Sequence, residues 1–285
     1  MINHAEAPPA RVPLSSLPPR DWSEAALTLD TDGVVHLPAA LTPEALAKVE
    51  AAVAFSLANP TPTAVNFYPD EQAKFFEDRG KRHLNLVRET GLDSMVAALW
   101  GEDCFWYLGE QLFVKEGGHS RRTPWHQDTP YLRMKGSQLI ACWISLDRLP
   151  KDHCLEFVRG SHTGTLYNGS AFAADDDTAP LHKHSALPRL PDIQARRGDF
   201  DILSWDIEPG DLIFFHLGML HGGAGTRPGM RRRTVSLRFL GPDVRFDGRG
   251  WSGRGPKVGD YSGRAPVYDD LADGDPYPTA HLDQV

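Results

Sequence analysis

The sequence has little cysteine, no long apolar run and no excess of positive charge. Its three cysteines, Cys104, Cys142 and Cys154, are odd in number and lack metal-site spacing. That excludes a disulfide framework and a zinc ribbon, and it fits a reducing, cytoplasmic setting. Cys142 lies inside an apolar run and reads as a small core residue. No stretch approaches the roughly 20 apolar residues of a membrane helix. The first residues, MINHAEAPPARVPLSSLPPRD, lack the apolar core of a secretion signal. Lys and Arg total 30 against 38 Asp and Glu, for a net charge of −8. A binder of phosphate backbones needs a basic stripe. Neither nucleic acid nor a membrane is therefore an expected partner, which leaves a small molecule, and the composition sets no oligomeric state.

Glycine and proline are plentiful, at 26 and 23 of 285 residues, and favour turns and short strands. The apolar share of 41% is enough for a sizeable core. Residues 1–22 read as an extended, proline-rich arm. Residues 27–41 read as a strand, a turn at Asp32-Gly33 and a second strand. Thr42-Pro43-Glu44 offers an N-cap followed by proline in the first turn, so a helix should run to Pro60. A second helix is expected over 89–100, while 61–88 carry no clear pattern. From 104 onward, aromatic and β-branched runs mark strands over 104–116, 138–147, 155–158, 199–203, 211–216 and 233–240. Residues 163–198 read as a long loop and 241–285 as a tail wrapping the outside. The expectation is mainly β, one domain over 1–285, with helices leading into a sandwich core at about 104–240.

Trp125-His126-Gln127-Asp128 is the first sign of chemistry. On a strand, residues i and i+2 share a face, so His126 and Asp128 would aim a ring nitrogen and a carboxylate oxygen at one point. Ninety-five residues later, an apolar strand runs into His221, a glycine-rich turn follows and a basic strand returns. Two histidines and one carboxylate on one face of a metal form the facial triad of non-haem Fe(II) oxygenases, with positions left open for other ligands. Zinc also accepts such a set. His216 competes with His221 for the third place. The return of Arg232, eleven residues after His221, favours His221, because a guanidinium there can grip a carboxylate by two hydrogen bonds. Strand alternation puts Arg231 and Arg233 on the face opposite Arg232. His182 and His184 fall in the presumed loop.

The HQD of 126–128, the CLEFVRGSH of 154–162 and the HGG…RRRTVSLRF of 221–239 resemble the phytanoyl-CoA dioxygenase-like (PhyH) family. The resemblance spans roughly residues 30–240. It implies a double-stranded β-helix, a cupin-like jelly roll, and an Fe(II)- and 2-oxoglutarate-dependent oxygenase that uses O2 and releases succinate and CO2. It also implies that His126, Asp128 and His221 bind iron and that Arg232 holds the far carboxylate of 2-oxoglutarate. Trp143, Gln111 and Gln127 would then line the cosubstrate pocket. The family often has Ser two residues and Asn five residues after the distal histidine, where this chain has Gly223 and Thr226. Related halogenases replace the carboxylate by a small residue, so Asp128 favours oxygen transfer over halogenation.

Substrate contacts are expected from Arg121 and Arg122 near the pocket mouth, which would favour an anionic substrate, and from Tyr131 and Trp205. Two rival readings remain at this point: a metal-dependent hydrolase and a non-catalytic small-molecule-binding jelly roll. The hydrolase has no need for Arg232, and a binder would lose little on substitution of His126 by Ala.

Overall fold

The computed structural model describes residues 12–62, 64–66, 73–117, 120–173, 175–249, 271–279 and 282–285. In chain order the elements are α1 (Trp22–Asp32), β1 (Val34–Leu37), α2 (Pro43–Ala58), β2 (Val65–Asn66), β3 (Ala73–Gly80), α3 (Leu84–Glu89), α4 (Leu92–Trp100) and β4 (Trp106–Gly117). There follow β5 (Thr123–His126), α5 (Thr129–Leu132), β6 (Met134–Lys135), β7 (Leu139–Ser145), β8 (Leu155–Val158) and β9 (Ile202–Leu203). The last are β10 (Leu212–His216), β11 (His221–Gly223), β12 (Arg231–Leu240), β13 (Arg245–Phe246) and β14 (Asp283–Gln284).

An eight-stranded sheet runs β1-β10-β7-β12-β4-β3-β2, with β14 on one end of β4, and a four-stranded sheet runs β5-β11-β8-β9. Strand alternation decides what each face of the large sheet meets. Ile140, Cys142, Ile144, Leu212, Phe214, Val235, Leu237 and Phe239 form one core with the helices, which contribute Val49, Val53, Val87, Met95 and Val96. Their neighbours Ala141, Trp143, Ile213 and Phe215 turn to the small sheet and meet Leu155 and Phe157. The helices thus cover one face, and the two sheets enclose the site between them as a jelly roll does.

One irregularity sets the inner face. Along β4, Arg238 pairs with Gly109 while Phe239 pairs with Tyr107, so Leu108 is an extra residue. Gly109 takes φ +145°, which glycine alone adopts readily. The bulge inverts the alternation. Phe105 and Tyr107 stay in the helix core, whereas Gln111, Phe113 and Lys115 face the cavity between the sheets.

Several expectations change. Residues 27–31 are the end of helix α1, not a strand: the Asp21 side chain accepts from the backbone N–H groups of Ser23 and Glu24, and the helix stops at left-handed Gly33. That cap overrides the β-branched texture. The helix expected over 89–100 forms as α4, which starts at Leu92 after Gly91 at φ +75° separates it from α3. The unassigned 61–88 hold β2, β3 and α3. The strand expected over 199–203 shrinks to β9 behind a 3-10 turn at Arg197–Asp199. Of the extended arm, residues 1–11 lie outside the described residues, and Leu14–Ser16 form a 3-10 turn. The tail does more than wrap the outside. Val244, Phe246, Tyr277 and Val285 are buried, and residues 250–270 lie outside the described residues. The helix after Thr42 forms as expected, with the Thr42 hydroxyl accepting from Ala45 N–H. Among the described residues no helix is long and apolar enough to cross a membrane.

Candidate metal centre and its cavity

His126 ends β5 and His221 begins β11, and antiparallel pairing sets them directly opposite each other. Their rings lie 4.2 Å apart between centroids. Each ring is oriented by its own backbone. His126 Nδ1 donates to Pro124 O at 2.9 Å and His221 Nδ1 donates to Met219 O at 3.0 Å. These bonds place the proton on Nδ1 and leave both Nε2 atoms as donors for a metal, the usual second-sphere device of metal histidines. Asp128 arrives differently from the expected strand alternation. The strand ends at His126, and Asp128 sits in helical conformation ahead of α5. It is tied by its N–H to Leu217 O at 2.8 Å. Asp128 Oδ1 lies 3.4 Å from His126 Nε2. Ligand atoms of the three side chains all fall within 4.8 Å of one another, and all three residues are buried. This donor set fits a divalent ion with open positions on the cavity side.

His216 is excluded as the alternative ligand. Its Nδ1 accepts from Gly218 N–H and its Nε2 donates to Gly136 O, so both nitrogens are used in a turn. His182 and His184 lie in the 163–198 segment, outside the cavity lining.

Asp128 has a partner that sequence reasoning missed. Arg238, on the inner face of β12, donates from Nε and Nη2 to Asp128 Oδ2 at 3.1 and 3.0 Å. Burial alone would raise the Asp128 carboxyl, but the adjacent Arg238 guanidinium holds it well below the usual carboxylate range. Arg238 Nη2 also donates to Gln111 Oε1 at 2.8 Å, and Gln111 Nε2 donates to Glu77 Oε1 at 2.6 Å. The same period-2 face carries Arg232, Thr234 and Ser236. The alternation that singled out Arg232 reaches Arg238 when continued. Burial pushes the His221 imidazolium down to about 3, helped by neighbouring His126, so the ring is neutral and ready to ligate.

The donors open on a cavity of about 440 Å³. At one side lies Arg232, buried and donating to the carbonyls of Ala224 at 2.8 Å and His153 at 3.3 Å. Among the described residues no carboxylate pairs with it. Its guanidinium lies 5.7 Å from the centre of the Trp143 ring. A buried cation without an anion is costly unless a ligand supplies one. Lys115, also missed by sequence reasoning, is the direct cross-strand partner of Arg232. Burial, with Arg232 beside it, lowers the Lys115 ammonium to about 7. Gly223 faces this corner: a Cβ there would stand 3.4 Å from Arg232 Nη2 and 3.5 Å from Thr123 Oγ1. The hydroxyl that the family often carries at this position has a neighbouring counterpart in Thr123. Thr226 is occupied elsewhere, its Oγ1 donating to Ser120 Oγ at 2.8 Å.

The remaining expected site residues divide. Trp143, Gln111, Arg121, Arg122 and Tyr131 all line the cavity. Gln127 and Trp205 do not. Gln127 donates to Thr165 O and Gly218 O and accepts from Tyr167 N–H, pinning the loop that follows β8. Trp205 packs on Phe157 and His36. The Arg122 guanidinium stacks 5.5 Å over Trp125 and shares Glu156 with Arg197. Arg121 is engaged by Asp177 at 2.5 Å. Both arginines thus have carboxylate partners, while among the described residues Arg122 Nη1 has no hydrogen-bond partner.

Fold and donor set together define a jelly-roll protein with a two-histidine, one-carboxylate metal site. The profile of the phytanoyl-CoA dioxygenase (PhyH) family matches residues 29–234, and the chain belongs to that family. It is 25% identical over 130 residues to a probable phytanoyl-CoA dioxygenase of Caenorhabditis elegans, covering 45% of this chain and 39% of that protein. It is 26% identical over 132 residues to the human peroxisomal phytanoyl-CoA dioxygenase, covering 46% and 37%. The matched stretch thus spans less than two fifths of either curated relative. Among solved structures, the epimerase SnoN in complex with Fe3+, alpha ketoglutarate and nogalamycin RO superposes with a TM-score of 0.62 at 16% identity, covering 92% of this chain and 98% of that one. EctD from S. alaskensis with 2-oxoglutarate and 5-hydroxyectoine gives 0.61 at 18% identity, covering 90% and 85%. These likenesses establish the shared fold.

Proposed function

We propose that the chain is an Fe(II)- and 2-oxoglutarate-dependent oxygenase that hydroxylates a C–H bond of a small molecule, acting as a single domain in a reducing, cytoplasmic setting. The observation that carries this is the pairing, in one cavity, of three metal donors with a buried arginine that has no carboxylate partner among the described residues. His126, Asp128 and His221 would hold the iron. Iron, 2-oxoglutarate and O2 when bound supply the oxidising chemistry, with succinate and CO2 as by-products.

The chain's own residues do the rest. Arg232 offers its guanidinium to the distal carboxylate of the cosubstrate, and Trp143 supplies a flat wall beside it. Lys115 adds a second cation in register with Arg232, and a bound dianion favours its protonated form. Arg238 occupies one oxygen of Asp128 and leaves the other for the metal. Phe113, Leu155 and Phe215 keep the cavity apolar around the donors, which limits water. Asp128 fills the place that a halogenase leaves to a halide, which supports hydroxylation.

The test is Fe(II)-dependent conversion of 2-oxoglutarate to succinate by the purified chain, with the Arg232→Ala variant alongside. Conversion lost in the variant supports the reading. Tight zinc binding without any conversion, or hydrolytic activity indifferent to Arg232→Ala, supports the hydrolase instead.

A further inference from the structure

Phe172 is held where a phenylalanine fits poorly. Its φ is +52°, in the left-handed region, which is an outlier for a bulky side chain. The residue is 42% exposed, and among the described residues it belongs to none of the apolar core clusters. Neither local preference nor core burial accounts for the placement.

The surroundings nevertheless fix it from two sides. Tyr131 Oη donates to Ser170 O at 2.6 Å and accepts from Ser170 N–H at 2.8 Å. Ser170 Oγ accepts from Phe172 N–H at 3.0 Å and donates to Asp177 O at 3.1 Å. From the other side Arg121 donates to Phe172 O at 3.3 Å, to Ala173 O at 2.5 Å and to the Asp177 carboxylate at 2.5 Å. The result is an aromatic ring standing edge-on to the His126 imidazole, 5.2 Å between centroids. It also lies stacked on Tyr131 at 5.9 Å and 25°. Both rings line the metal cavity. Strain that the surrounding structure over-determines is a mark of functional placement.

We propose that Phe172, backed by Tyr131, is the face on which the substrate stacks, and that the substrate carries a flat aromatic or unsaturated ring next to the C–H bond that is oxidised. The proposal rests on the oxygenase reading for the reaction, but the aromatic face itself is independent of it. An offset or edge-to-face ring contact distinguishes a flat ring from its saturated counterpart, because only the flat ring presents the complementary quadrupole. Arg121 is then a positioning residue: it acts on the substrate only through the backbone of Phe172 and Ala173.

The test compares two probes of one skeleton, 2-naphthol and decahydro-2-naphthol, titrated by ligand-observed NMR. The full chain is used both as apoprotein and loaded with Zn(II) and 2-oxoglutarate, which bars turnover. The expected result is about tenfold tighter binding of 2-naphthol, lost in Phe172→Ala, with decahydro-2-naphthol changed by less than about twofold. Phe172→Gly should lose the same preference while its melting temperature holds or rises, since glycine accepts φ +52° without strain. That combination separates a functional ring from a structural one. Equal affinity for the two probes, no binding of 2-naphthol by the wild type, or undiminished 2-naphthol binding in both variants would overturn the proposal. Failure of the oxygenase reading shows separately, as a wild-type chain that makes no succinate whatever the probes do.

Discussion

The two sheets that enclose the cavity are built differently. The large one holds the long strands, twelve residues in β4 and ten in β12, paired along their length with a single bulge at Leu108. No strand of the small one exceeds four residues. Charged and polar anchors sit on the large sheet: Arg232 and Arg238 on β12, Gln111 and Lys115 on β4. The two metal-donor histidines sit at the ends of short strands, where backbone carbonyls aim them, and Asp128 follows two residues after one of those ends. Long paired strands with an apolar back hold a side chain in one place, so they suit the binding of a constant, charged cosubstrate. Short strands hand over to loops within a residue or two, so the metal lies beside segments that can differ between relatives and select the substrate.

The comparison can be broken first at the donors. Asp128→Ala should lower Fe(II) or Co(II) affinity by more than about a hundredfold, exceeding any change in the shell around it. A metal titration checks this. Next comes the anchor on the long sheet. Arg232→Met should weaken 2-oxoglutarate binding by about 30-fold or more while leaving metal affinity nearly unchanged. The same variant should raise thermal stability, because it removes a buried cation that has no anionic partner in the free protein. Calorimetry and a binding titration on one sample check both effects.

Arg238 ties the two regions together. Arg238→Leu should weaken metal binding by about 10–100-fold, the range for outer-sphere partners. The sign of its pH effect follows from Asp128, which Arg238 holds well below the ordinary carboxylate range. In the wild type the carboxylate stays ionised as pH falls, and metal binding persists. Without Arg238, burial raises the carboxyl, so binding should be lost at a higher pH. Metal titrations across an acid series read the shift.

The smallest effect belongs to Lys115, lowered to about 7. Its protonated form attracts the cosubstrate, so 2-oxoglutarate affinity should fall, by about tenfold at most, as pH rises through that value. Lys115→Met should flatten this slope, and binding titrations between pH 6 and 9 decide it. A slope that survives the substitution would assign the dependence to another group.

Much of this organisation is legible in the sequence because it rests on period-2 strands. The runs over 138–147, 211–216 and 233–240 announce β7, β10 and β12, and the spacing from His221 to Arg232 announces the anchor. What escapes is set by tertiary partners. Lys115 reads as an ordinary strand lysine until register places it opposite Arg232. Arg238 looks like one more basic residue until Asp128 arrives from a different sheet. Gln127 stands between two ligands in sequence, yet its side chain turns to the loop because strand β5 ends at His126. The helix over 27–32 was hidden by Thr and Leu and is revealed by its Asp21 cap.

The most direct test of the account is the visible spectrum of anaerobic, metal-free protein given Fe(II) and then 2-oxoglutarate. The account predicts a weak charge-transfer band, abolished in Asp128→Ala and weakened in Arg232→Met. No band in the wild type, with tight zinc binding in its place, would contradict the joint iron and cosubstrate site.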